Sequence, residues 1–201
     1  GAAKDVVATS YSKHDQDEID DAADELKAAL AKLEFKDFAS KKPSGVDTTA
    51  VATGEEDESG NAVTENIYTK KIEAKQVKKT VADALAVSGC TVEVSLDSRY
   101  SATSDTNLDK IPVGTGATVT ILQKVGGVNV PVATIKLIVE GDVTGDGVID
   151  ALDCMIADLC VNDHASLDGI YLIAGDLQAN NAMDKGDFSA IVNKAIPDVV
   201  A

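Results

Sequence analysis

The stretch Gly141-Asp142-Val143-Thr144-Gly145-Asp146-Gly147-Val148-Ile149-Asp150-Ala151-Leu152-Asp153 constrains this chain more than any other. Counted from Asp142, oxygen-bearing side chains stand at positions one, three, five, nine and twelve: Asp142, Thr144, Asp146, Asp150 and Asp153. Gly147 holds position six, where a twelve-residue cation loop turns sharply through a left-handed backbone. Val148 at position seven offers its carbonyl, and Val148-Ile149 is the apolar step that pins such a loop to a core. Hard oxygen donors on a flexible loop suit Ca²⁺ better than the rigid octahedron of Mg²⁺.

Thirty-four residues on, the pattern returns in weaker form. Asp176, Gln178, Asn180, Asp184 and Asp187 repeat the ligand positions, Ala182 supplies the carbonyl, and Asn181 replaces the glycine at six. Asn accepts a positive φ better than most residues, so the turn survives. Loop one carries four carboxylates and loop two carries three, so loop one is expected to bind the tighter of two calcium ions.

Charge makes the same demand. Residues 141–201 hold eleven Asp, no Glu and two Lys, a net of −9 out of −16 for the whole chain. Carboxylates at that density repel one another unless a cation binds among them. The same balance excludes phosphate-neutralising contact with nucleic acid. Aromatics at 3% with no Trp exclude stacking platforms for single strands. No apolar run reaches the length of a membrane span. Cys90, Cys154 and Cys160 show no zinc spacing and read as small buried apolar groups, and the two histidines stand apart from them.

The spacing of apolar residues predicts four segments. Residues 1–39 hold an amphipathic helix over 15–33, with Ile19, Ala23, Leu26, Leu30 and Leu33 on one face. Residues 40–65 are poor in apolar groups and read as a linker or long loop. Residues 66–140 read as an α+β module, with a helix over 75–87 and strands over 67–72, 91–96, 117–122 and 130–139. Gly114-Thr115-Gly116 is there a turn entering a strand, because no third glycine and no helix follow it. In residues 141–201 each loop is followed by a helix, over 153–162 and 187–196, the second stopped by Pro197. A strand rather than a helix enters loop one, and position twelve is Asp where a sensor loop uses Glu. The expected fold class is α+β overall: an N-terminal helix, a small strand-rich α+β module, then an all-α part with two calcium loop–helix repeats.

These paired loop-plus-exiting-helix segments, with Gly-Asp-Val-Thr-Gly-Asp-Gly-Val-Ile-Asp-Ala-Leu-Asp first and Gly-Asp…Asp-Lys-Gly-Asp-Phe-Ser-Ala-Ile-Val-Asn second, resemble a dockerin module. The resemblance covers residues 141–201, and 66–140 more loosely resembles the X-module or Ig-like companions of such proteins. Thr144 stands where the family has Asn or Asp, and loop two lacks the family's Asp at position five and its glycine. The resemblance implies a non-catalytic, calcium-dependent docking module that binds a cohesin. It would anchor a secreted or surface-attached parent protein to a scaffoldin or cell surface in a cellulosome- or amylosome-type complex that degrades polysaccharide in anaerobic bacteria. It also implies cohesin contacts at Ala151, Leu152, Asp158 and Leu159 in repeat one, and at Lys185, Gly186, Val192 and Asn193 in repeat two.

The alternative expectation is a calcium-stabilised surface or carbohydrate-adhesion protein whose dockerin-like end is structural. No nucleophile elbow, metalloprotease helix or paired carboxylates in an aromatic cleft point to an enzyme. Ser10-Tyr11-Ser12-Lys13 matches SxxK without its partner motifs. Chelation is expected to lower the thermal midpoint of 141–201 clearly and to affect 66–140 less.

Overall fold

The computed structural model describes residues 20–26, 42–56, 59–60, 62–97 and 110–196. Five strands form one mixed sheet in the order β1-β2-β5-β4-β3: β1 Val46–Glu56, β2 Ala62–Ile72, β3 Cys90–Ser95, β4 Thr118–Val125 and β5 Val128–Val139. β2 and β5 run parallel, with Tyr68 opposite Ile135 and Ile72 opposite Val139. The other three pairings are antiparallel. Gly126 and Gly127, both at positive φ, make the two-residue turn between β4 and β5 that a right-twisted hairpin favours. Pro131 sits in β5 beside a register shift opposite Ile121 and Leu122, where a missing ladder donor is tolerated.

Helix α1, Lys78–Ala84, covers one face of the sheet. Val81 and Leu85 enter a core with Val46, Val113, Ala117, Val119, Ile121, Ala133, Ile135 and Leu137. Strand alternation turns Val51 to the opposite face from Val46. There α3, Gly169–Gly175, packs against β1 and β5, with Gly169 beside Val51. Helices α2, Ala151–Val161, and α4, Lys185–Ala195, pack on each other around Val143, Ala157 and Ile191.

Two expectations are corrected. Residues 40–65 are not a linker, because β1 and the start of β2 lie there. Their Thr- and Val-rich composition suits an edge hairpin that buries only Val46 and Val51 fully, so little apolar content was needed. The C-terminal part does not stand out as an all-α module: the described residues form one mixed α/β fold. Its helices are few and short, and the cluster between them has three buried apolar residues, Val143, Ala157 and Ile191. β5 runs straight into loop one, and the loop and α3 close on the sheet. Of the helix expected over 15–33, residues 20–26 are helical with Leu26 exposed, and the rest lies outside the described residues, as do Ser10 to Lys13.

Candidate metal centre

Loop one lies at the end of the sheet where β2 and β5 finish and β4 begins. Carboxylate oxygens of Asp142, Asp146 and Asp153 approach within 4.8 Å of one another. Among the described residues, no other group of three His, Cys, Asp or Glu does so. Asp142 and Asp153 are fully buried, Asp146 half-buried.

The loop closes on its own carboxylates. Asp142 Oδ1 accepts the Gly145 and Asp146 amides at 2.7 and 3.1 Å and the Thr144 hydroxyl at 3.3 Å. Its Oδ2 accepts the Gly147 amide at 3.0 Å and, from outside the loop, the Thr115 amide at 2.8 Å. Asp153 accepts the amides of Thr144 and Asp150, and Asp150 caps α2 by accepting from Leu152. Asp146 accepts from Val148. Gly147 has φ +78, as position six requires.

Loop two repeats most of this scheme, without a counterpart to the Gly145 amide's bond to Asp142. Asp187 accepts from Gln178 and Asp184, as Asp153 does from Thr144 and Asp150. Asp176 accepts from Asn180 and Asn181, Asn180 from Ala182, and Asp184 from Gly186 and Asp187. Asn181 takes φ +64, so the missing glycine is replaced as expected. Position four matches as well: Gly145 at φ +85 and Ala179 at φ +57. Loop two differs in exposure. Gln178, Asn180 and Ala182 are exposed, and the Asn180 amide nitrogen donates to Asp184 rather than presenting its oxygen there.

Electrostatics separate the loops in the same way. Burial, followed by the Asp153 charge among the causes that raise it, pushes Asp142 up to about 6 against its backbone donors. Burial also raises Asp153. Asp184, on the surface, is held below the usual carboxylate range chiefly by the Gly186 amide. Among the described residues no cationic side chain pairs with Asp142, Asp146 or Asp153. Three convergent carboxylates, two of them fully buried, with no protein cation paired to them among the described residues, form a cluster that could hold a metal ion.

Thr115 went unseen as a site residue. Its Gly-Thr-Gly setting does form the turn entering β4, but that turn also receives loop one. A Cβ on Gly114 would collide with the main chain of Gly145 and Gly147, and one on Gly147 would meet Val113. The Lys75 amide, set by φ +64, donates to the Gly147 carbonyl at 2.7 Å. The Gly141 amide donates to Ala174 in α3 at 2.8 Å, and the Tyr171 hydroxyl donates to the Thr115 carbonyl. The only sequence signal for this seam was the glycine spacing, which allows close backbone approach.

The residues expected to touch a partner fall on α2 and α4. Ala151, Leu152 and Asp158 are exposed and Leu159 half-buried on α2. On α4, Lys185 and Asn193 are exposed, Gly186 and Val192 half-buried. Met155, overlooked, is 52% exposed one turn from Leu152 at 44%. Leu152, Met155 and Leu159 therefore form an apolar stripe along α2. The cysteines are free, and burial raises their thiols, so they are held protonated. Comparison with protein-family models, curated proteins and solved structures finds no match for the chain. Among the described residues no helix is long and apolar enough to cross a membrane.

Proposed function

We propose that this chain is a dockerin-type, non-catalytic docking protein of a cellulosome- or amylosome-type system. Calcium in the two loops would order α2 and α4, and α2 would bind a cohesin module on a scaffoldin or surface protein. The parent protein, secreted or surface-attached, would thereby join a polysaccharide-degrading complex. One observation carries this reading: both twelve-residue loops close on the same carboxylate–amide scheme, and each feeds a capped helix. In loop one, Asp142, Asp146 and Asp153 would hold the ion with the Val148 carbonyl, and Thr144 and Asp150 would complete its surroundings. In loop two, Asp176, Gln178, Asn180, Ala182, Asp184 and Asp187 would do so with less charge. The ion supplies the positive charge that these buried carboxylates lack.

The test is binding of the full chain to a panel of cohesins, in calcium and in excess chelator. Binding in calcium that chelation abolishes is expected. A second reading draws support from the burial of Asp142 against the sheet: calcium serves only to stabilise a surface or carbohydrate-adhesion protein. Calcium-dependent melting with no cohesin bound anywhere in the panel would favour that reading instead.

A further inference from the structure

We infer that the Gly114-Thr115 peptide is a positioning element of calcium site one: its N–H fixes the Asp142 carboxylate, so the sheet sets that loop's affinity for calcium. The inference rests on reading loop one as a calcium site, and it concerns a residue twenty-seven positions away, outside the loop. Asp142 Oδ2 is held between the Gly147 amide of the loop and the Thr115 amide of the turn. Among the described residues, Asp176 accepts only from its own loop, so loop two is an internal comparison without the extra donor.

Four further hydrogen bonds fix the donating turn. Thr115 Oγ1 donates to the Val139 carbonyl at 3.2 Å and accepts the Val139 amide at 3.1 Å. The Gly116 amide donates to Leu137, and Tyr171 holds the Thr115 carbonyl. The turn therefore cannot swing away without disturbing the end of β5. Gly114 permits the approach, since a side chain there would strike the main chain of Gly145 and Gly147. A donor that fixes a ligand's orientation without touching the metal commonly changes affinity by about 10- to 100-fold when lost. The coupling is reciprocal: if the turn tightens calcium binding, calcium tightens the turn by the same factor.

Gly114→Ala drives a methyl group between turn and loop. Calcium titration by calorimetry, in an Asp176→Ala background so that loop one dominates, should show affinity falling about 10- to 100-fold. Gly89→Ala strains a positive φ in open space at a distant turn, so it should lower stability and leave affinity unchanged. In the unaltered chain, hydrogen exchange at the Thr115 amide should slow about tenfold or more when calcium is added. This measurement decides the matter should Gly114→Ala fail to fold. Unchanged affinity in Gly114→Ala, or a Thr115 amide indifferent to calcium while Gly147 slows, overturns the inference. An unaltered chain that takes up no calcium overturns the calcium reading itself, and the two failures are thus distinct.

Discussion

Asp142 meets two demands that conflict without a cation. It accepts four backbone amides, which favour the carboxylate, yet it lies wholly out of water, which favours the acid. Burial prevails and its pKa rises to about 6 from 3.8. A folded-state value above the unfolded one means the calcium-free protein gains stability from this group below about pH 4 and loses it as pH rises through about 6. Protons then compete with calcium, so affinity at loop one should fall about tenfold between pH 7 and pH 5, measured by titration at both values. A pH-independent affinity would contradict it. Ala179 poses a separate problem, since a side chain at φ +57 is strained. Ala179→Gly should stabilise the calcium-free chain by roughly 0.5–1 kcal/mol in urea unfolding, the relief of left-handed strain less the added entropy of glycine. Gly145→Ala, at the matching position but facing Thr115 and Tyr171, should destabilise it. That Asp142, Asp146 and Asp153 come together was legible because a loop's geometry is local. Thr115 was not, because its role lies in a backbone amide that no residue type advertises.

The two exiting helices share a design and differ in what they display. α2 shows Leu152 and Met155 to solvent, whereas α4 begins with Lys185 and Gly186. A partner surface built for the apolar stripe would face an unpaired ammonium if the repeats exchanged places. Burying such a charge costs several kcal/mol, about a hundredfold or more in affinity. Leu152→Asp should therefore abolish cohesin binding and Lys185→Asp should change it little, both read by calorimetry. Both sites are exposed, so unfolding should move by no more than about 0.5 kcal/mol. Tolerance of each change singly, with loss only in the double variant, would mean binding in two orientations. Helices α2 and α4 were legible because each follows an acidic loop, with Pro197 stopping the second. α3 was not: seven residues bounded by glycines carry too few turns for a periodic signal. β1 was hidden for another reason, since an edge strand with few buried residues, Val46 and Val51 among those described, resembles a polar loop.

Across the whole molecule, the seam changes what chelation should do. Thr115 to Asp142, Lys75 to Gly147 and Gly141 to Ala174 join sheet, loop one and α3 through backbone donors. Glu140 adds surface pairs to Lys71 on β2 and Lys194 on α4, at 2.5 and 3.6 Å. Residues 66–140 are thus not insulated from 141–196, contrary to what the segment boundaries suggest. Scanning calorimetry should give one transition that moves down as a unit in excess chelator. Two transitions, with the sheet's unmoved, would refute this.

The parallel pairing of β2 with β5 also dictates an order of events. Tyr68 finds Ile135 only after the intervening helix and two strands have been gathered in, a slow closure. Loop one hangs from the end of β5, and its receiving turn is complete only once β4 and β5 are in register. If loop one takes calcium as proposed, the cation would arrive after the barrier has been crossed. Contacts formed that late act on the rate of leaving the native state rather than on the rate of reaching it. In stopped-flow experiments calcium should lower the unfolding arm and leave the refolding arm where it was. On that reading the ion would work as a bolt shot after the door has closed.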